Sequence, residues 1–523
     1  MRKLLLLGLA LLMVFGLAAC TTPEEGPVEE NGLNGEPEEE VVPGDNEIIV
    51  ALLSDGDSLD PHKVTQAASM RLIENMYSTL MRYQEGTHGE LEPDLAADYE
   101  VSEDATEYTF YLHEGVTFHN SGRELTSEDV KYSVERIIEN EVRADQFSAV
   151  EEILTPDPYT VTFKLSEPVA PFLTYLAYPM NAIVDREVVE ANGGSLDNAD
   201  AGSGPFQLVE WVKDQHLILE KYPDYFVDGL PYLDRVVFRP IPDETARTTA
   251  IRNQEIDIIV EVTYRDVEIL EGADGVLLES VPGTFWEYVG INTVPEPLND
   301  VRVRQAIAHA IDRHEVNDMI KFGRATVLEG GVIPPGHWAY ADLQIYPERD
   351  LDRAMELLEE AGYGDGFSLE IKVGADFEDQ VDAAQLLRQQ LQDVGIEAEV
   401  LAQESGIFFD ALGAGDFELT IVGWLGFIDP DEYLYNIFHS DGMFNQQGYA
   451  NSEVDELLEE GRRTADPDER VEIYREAQRI ITEEAPMAFL YMNERTAALL
   501  ERVQGFDVNP TLTTISLRET TVE

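Results

Sequence analysis

The side chains that could make or break bonds are few, and their spacing argues against such chemistry. The chain has one cysteine, Cys20, and nine histidines. His309 and His314 are five residues apart, a poor spacing for a metal pair on one helical face. His113 and His119 flank Gly115 and read as the two ends of a turn. Gly202-Ser203-Gly204-Pro205 lacks both the Lys and the helix start of a phosphate-cradling loop. No Gly-x-Ser-x-Gly context surrounds Ser203, so it is not a nucleophile elbow either. There is no His-Glu-x-x-His run, and a lone thiol cannot build a structural zinc site. With 104 Asp and Glu residues a plausible carboxylate pair exists almost anywhere, so pairs alone indicate no hydrolase. No catalytic centre, metal or cofactor is expected.

Cys20 belongs to the amino-terminal leader. Arg2 and Lys3 precede an apolar run from Leu4 to Phe15, followed by Gly16 and Leu17-Ala18-Ala19-Cys20. A basic start, a short apolar stretch and small residues before a cut describe a signal peptide, too short to be a comfortable transmembrane helix. The ending resembles a bacterial lipobox, which implies removal of residues 1–19 and a diacylglyceryl group on the Cys20 thiol. More than one acyl chain gives stable anchoring. From Thr21 to Asp45 the composition turns to Glu, Pro, Gly and Asn, which cannot bury a core, so residues 20–45 are expected to be an acidic, self-repelling tether. No later segment is long and apolar enough to span a bilayer. The expected location is the outer face of the cytoplasmic membrane, with the lipid as the only membrane contact.

The formal net charge of −69 argues strongly against nucleic acid or anionic lipid as a partner. It fits a solvated acidic shell that keeps an exported protein soluble in high salt, where screening removes self-repulsion.

The elements that must position any site fill the remaining chain, which is too long for one core and predicts two or more domains. Glu47 to Leu52 reads as a strand, and Met70 to Met81 has helical apolar spacing. Thr126 starts a helix with acids in its first turn, continued by Val130, Val134, Ile137 and Ile138. Tyr108–Leu112, Tyr159–Leu165, Leu217–Glu220 and Arg235–Phe238 alternate as strands. Tyr288–Asn292 reads as a strand, and Asn299 as the cap of a helix carrying Val303, Ile307, Ala310 and Ile311. Leu351–Ala361 is a helix closed by Gly362, and Val381–Val394 a helix stopped by Gly395. Phe367–Val373, Ile396–Val400 and Leu419–Val422 are strands between and after them. This alternation predicts α/β units with a parallel or mixed sheet. The last of these strands ends at Gly423-Trp424, and ligands of open α/β sheets sit beyond carboxyl ends of strands.

Several segments together resemble the family 5 extracellular solute-binding proteins of ABC importers, the dipeptide, oligopeptide and nickel type. They are Ala201-Gly202-Ser203-Gly204-Pro205-Phe206 through Trp211, Leu219 to Phe226, Leu233 to Arg239, and Ile241 to Arg247. Upstream, Leu112 to His119 and Leu125 to Val130 fit the same pattern, as do Asp300 to Arg313, Gly423-Trp424 with Asp429-Pro430, and Tyr449 to Leu457 downstream. The likeness covers Glu47 to Tyr491 and is carried by order and spacing, not by any single piece. It implies a two-lobed binding protein of the class II type with mixed sheets. The first lobe would comprise residues 46–284, with an extra subdomain at about 85–201, plus 493–523; the second would comprise 285–492. Crossings near Phe285 and Met492 would form the hinge.

The resemblance also implies a monomeric, non-enzymatic receptor that captures a di- or oligopeptide and presents it to ABC permease subunits. A nickel chelate or a sugar are alternative ligands, and a secreted hydrolase is the alternative of another class. Candidate ligand-binding residues are Trp424, Phe427, Asp429 and Gly204. In peptide-binding members an Asp shortly after the Gly-Trp step neutralises the peptide's amino terminus; here that place falls on Phe427, and Asp429 matches a different, more structural Asp before Pro430. Either Asp429 has taken over the role, or the amine is read differently.

Overall fold

The computed structural model describes residues 46–84, 90–140, 142–425, 429–464, 466–510 and 513–523. The leader with Cys20, the tether and Phe427 lie outside them.

One mixed, eleven-stranded sheet organises the chain. From one edge its order is Ile396–Gln403, Phe367–Gly374, Leu419–Leu425, Val276–Ile291, Met487–Leu500, Ile258–Ile259, Glu47–Leu52, Arg235–Pro240, His216–Lys221 and Phe206–Val212; Thr326–Val327 joins beside Met487–Leu500. The expected α/β character with mixed sheets is what forms. Glu47–Leu52 lies parallel to both its neighbours. Its Ile48-Ile49-Val50 run is buried, as a strand covered on both faces requires. Phe367–Gly374 likewise runs parallel to Ile396–Gln403 and to Leu419–Leu425.

Two long strands carry the sheet from one half to the other. Val276–Ile291 pairs with Met487–Leu500 from Val276↔Leu500 to Pro282↔Glu494, and again from Trp286↔Met492 to Gly290↔Met487. Between these stretches the register shifts, and a Cβ on Gly283 would lie 2.7 Å from the Asn493 carbonyl oxygen. The shift spans Phe285 and ends at the Trp286↔Met492 pair. The strand itself is much longer than the expected Tyr288–Asn292. Pro282 and Gly283 interrupt its pattern because they occupy the bulge, the place where a strand tolerates them.

Local signals placed most helices within a residue or two. Helix Leu351–Ala361 closes on Gly362 in the left-handed region, at φ 89°. Glu378–Gln392 precedes Gly395, also left-handed at φ 84°. The helix Val301–Ala310 is capped by Asp300, not by Asn299; the Asp300 side chain accepts the Arg302 N–H. The helix expected over Met70–Met81 ends at Ile73. There the carbonyls of Asn75 and Met76 turn away to accept the N–H groups of Phe206 and Gly204, so tertiary hydrogen bonds replace the helical ones.

In the second half of the sheet, side chains alternate between two cores. Val289, Ile291, Leu419 and Ile421 enter one, while Trp286, Tyr288 and Val422 enter the other, with Trp424 packed against it. A separate four-stranded antiparallel sheet of Ala96–Val101, Glu107–Leu112, Thr160–Leu165 and Val150–Asp157 lies within the range expected for the subdomain. Helix Ser127–Asn140 packs on it through Val130, Val134 and Ile137 against a core that includes Phe110 and Phe163. Among the described residues no helix is long and apolar enough to cross a membrane.

Candidate functional site

Trp424 stands near the end of strand Leu419–Leu425, opposite Trp286 in register, and is half-buried. Its ring meets Phe444 at a centroid distance of 4.6 Å. The residue before it must be glycine: a Cβ on Gly423 would lie 2.1 Å from the Phe285 ring. The glycine therefore lets the Phe285 ring lie across the strand, beside a Trp424 that packs against the core and Phe444.

Asp429 begins the next helix, Pro430–Phe438, as its N-cap, accepting the Asp431 N–H at 3.0 Å. Its two oxygens also take a guanidinium fork from Arg470 at 2.8 and 3.0 Å. Both side chains are buried, at 4% and 7% exposure for Asp429 and Arg470. Arg470 also donates to the Gly461 carbonyl and lies over the rings of Trp338 and Tyr474. The Asp429 carboxylate is thus committed to the protein's own cation, a strong bidentate pairing. Burial pushes the neighbouring Asp431 carboxyl up to about 7, against the opposing pull of Arg462, which pairs with it at 3.2 Å.

Gly204 sits in the first half of the molecule. Its N–H donates to the Met76 carbonyl at 2.9 Å, and its own carbonyl meets His119 Nε2 at 2.9 Å. A Cβ there would stand 2.6 Å from the Met76 carbonyl carbon, so glycine is what lets the two backbones touch. Trp424 and Asp429 thus share one region, while Gly204 braces Met76 and Tyr77 elsewhere.

The segment braced in this way walls a cavity of about 1070 Å³ that includes open solvent at its mouth. Helix Ala67–Ile73, the residues up to Tyr83, the stretch 177–180 and, nearer the carboxyl terminus, Asn509, Thr513, Ile515 and Arg518 line it. Met70, Ala177 and Met180 make apolar wall; Arg71, Glu74 and Asp94 add charge. At one rim the hydroxyl of Tyr178 donates to Glu432 in the first turn of helix Pro430–Phe438. Burial, followed by the charges of Glu432 and Asp429, pushes the phenol of lining residue Tyr83 well up. Glu432, in the helix that Asp429 caps, therefore lies against a lining residue of the cavity. A second contact nearby joins the same parts: the Ala170 N–H donates to the Arg462 carbonyl at 2.7 Å, while the Arg462 guanidinium lies 3.8 Å from the Tyr435 ring centroid.

Toward the strand crossing, Glu261 pairs with Arg71 at 3.2 Å and with Arg495 at 3.0 Å. Glu74 accepts both the N–H and the hydroxyl of Thr514, and burial pushes it up to about 7 despite those bonds and Arg71. Asp94 accepts the Thr79 N–H at 3.0 Å and is pushed up to about 6, again by burial and against the pull of Arg82. Sequence reasoning missed Glu74 and Asp94. Two acids among 104 carry no local signal, and the Thr514 partner of Glu74 is 440 residues away.

Residues 90–445 match the family model described as bacterial extracellular solute-binding proteins, family 5 Middle. The chain belongs to this family. As a family 5 solute-binding protein it is a two-lobed receptor and not an enzyme. It is 29% identical over 477 residues to the glutathione-binding protein GsiB of Escherichia coli O1:K1, covering 89% of this chain and 92% of the relative. The periplasmic binding protein DppA of Helicobacter pylori, solved in complex with the peptide STSA, is 30% identical with a TM-score of 0.74, over 91% of this chain and 98% of the other. HbpA2 of Haemophilus parasuis is 26% identical with a TM-score of 0.84, over 91% of this chain and all of the other, 100%.

Proposed function

We propose that this family 5 protein is a lipid-anchored receptor that captures a short peptide between its lobes and delivers it to the permease of an ABC importer. The observation that carries this is the cavity beside the lobe contact. It is walled by apolar and tyrosine side chains, holds charged groups of both signs, and has a lining residue, Tyr178, bonded to Glu432 in the helix that Asp429 caps. Apolar walls with a few placed charges suit a peptide, whose side chains bury area while its termini need counter-charges. The peptide and glutathione bound by DppA and GsiB support the same class. Trp424 is the aromatic contact from the second lobe, and Gly204 shapes the cavity wall indirectly by letting Met76 and Tyr77 approach. The division at residues 284/285 and 492/493, with residues 493–523 returning to the first lobe, is the frame in which closure occurs. Cys20 holds the receptor at the membrane, and the tether of residues 20–45 lets it reach its permease.

Native mass spectrometry of the protein as purified, followed by titration with the co-purifying compound, tests this. One peptide bound per chain and recovered intact is the expected result. A co-purifying sugar or metal chelate, with no affinity for peptides, would overturn the peptide assignment; peptide cleavage would overturn the receptor role.

A further inference from the structure

We infer that helices Pro430–Phe438 and Ser452–Arg463 are latched onto the segment 169–178, through Glu432 with Tyr178 and Arg462 with Ala170, and that this latch sets how slowly a captured solute leaves. This rests on the receptor reading above, in which residues 169–178 belong to the first lobe and both helices to the second. Tyr178 and Glu432 are 254 residues apart in sequence, and neither contact belongs to the long sheet that joins the two halves. A rotation about strands Val276–Ile291 and Met487–Leu500 would part both contacts while leaving each half intact.

The two contacts grip one rigid piece. Arg462 lies in the last turn of its helix, where carbonyls have no partner within the helix, and the Ala170 N–H supplies one at 2.7 Å. The Arg462 guanidinium reaches Asp431 at 3.2 Å and lies 3.8 Å from the Tyr435 ring centroid, which ties its helix to Pro430–Phe438. Glu432, next to Asp431 in the first turn of that helix, accepts the Tyr178 hydroxyl. Tyr175, between Ala170 and Tyr178 in sequence, is 9% exposed. Burial, followed by the charges of Asp431 and Glu432, pushes its phenol well up; burial and then Glu432 do the same for Tyr178, so both phenols keep their protons. Val169 and Tyr175 from one side, and Tyr435 and Arg462 from the other, line a single groove along this seam.

The latch stands apart from the contacts a solute makes. Tyr178 lines the cavity, whereas Glu432, Ala170 and Arg462 are not among the described residues that line it. A phenol donating to a carboxylate makes the stronger, charge-assisted kind of hydrogen bond. A solute enters and leaves through the open form, so a contact made only in the closed form slows release and leaves capture unchanged.

The test measures association and release of a radiolabelled pool of Ala-Xaa-Ala tripeptides by the mature protein. Tyr178→Phe and Glu432→Ala are each expected to speed release about tenfold while leaving association within about twofold. The double variant should release no faster than either single one, because both remove the same bond. Tyr178→Phe keeps the ring on the cavity wall, and thermal unfolding checks that each variant folds. Where Glu432→Ala does not fold, Glu432→Gln takes its place with about a threefold effect, since an amide oxygen still accepts but carries no charge. Unchanged release, a change in association alone, or single effects that multiply in the double variant overturn the latch and leave the receptor reading standing. If no tripeptide binds the wild type, the peptide assignment fails, and small-angle scattering of the protein alone decides the latch. Tyr178→Phe should then enlarge the radius of gyration, and an unchanged radius overturns the latch as well.

Discussion

Asp429→Ala separates a structural carboxylate from a ligand anchor. Asp429 does two things in the folded protein: it caps helix Pro430–Phe438 and neutralises Arg470 in a site where the two side chains are 4% and 7% exposed. Removing one partner of a buried, forked ion pair costs about 3–5 kcal/mol, because the other charge stays behind without water. Loss of the cap adds about 1 kcal/mol. Arg470 keeps its bond to the Gly461 carbonyl at 2.9 Å and a contact with the Tyr474 hydroxyl at 3.3 Å, which places the expected cost toward the lower end of that range. Asn keeps the cap and one acceptor, so Asp429→Asn isolates the charge, at about 2–3 kcal/mol. Replacing both partners with apolar residues, Asp429→Leu with Arg470→Met, should recover most of the loss. Urea unfolding followed by tryptophan fluorescence reports the right region, since Arg470 lies over Trp338 and both Trp286 and Trp424 pack in the same core. A two-lobed body need not unfold in one step, so the midpoint of this core's transition is compared, not a global free energy. Peptide affinity of Asp429→Asn in buffer should be unchanged. A stability loss below about 1 kcal/mol together with lost binding would refute the reasoning and make Asp429 the amine anchor.

Four further outcomes follow from the same geometry. Trp424→Ala should weaken peptide binding by about 1–3 kcal/mol in calorimetry; unchanged affinity would make Trp424 a core residue only. Gly204→Ala should lower stability by about 1–3 kcal/mol, since its Cβ would force the Met76 backbone away, and a neutral melting temperature would show that the backbones part freely. Asp431, raised to about 7, binds its proton more tightly folded than unfolded, so it costs stability progressively as the pH rises from about 4 to 7. Asp431→Asn should flatten that part of the stability profile, and a slope unchanged from wild type would place the titration elsewhere. Cys20→Ser should release the protein to the medium without altering solute binding in the purified body; lost binding would show that anchor and receptor are not separable.

Much of the fold was legible because it rests on short-range physics. Periodicity found the buried strands around Ile49, Ile371 and Ile421, and the left-handed demands of Gly362 and Gly395 marked two helix ends. Motif order carries the family likeness, and the composition of the leader predicts export. Local rules failed where distant segments compete for the backbone. Helix propensity runs past Ile73, but the carbonyls of Asn75 and Met76 find partners near Gly204, well over a hundred residues on. The strand was expected only over Tyr288–Asn292, yet it begins at Val276, and Pro282 and Gly283 lie at a register shift within it.

The candidate site divides along the same line. The place of Trp424 near a strand end was legible because a single strand positions it. Whether a given carboxylate is free, paired or proton-bearing depends on burial and on partners that one-dimensional spacing does not encode. Asp429 looked available beside Trp424 until helix Pro467–Glu484 brought Arg470 against it. Glu74 and Asp94, indistinguishable in sequence from the other acids, are set apart only by the fold, in which burial raises both carboxyls. Sequence alone determined the elements and their family; tertiary structure decided which charges are paired and which are raised by burial, because desolvation and pairing are properties of three-dimensional surroundings.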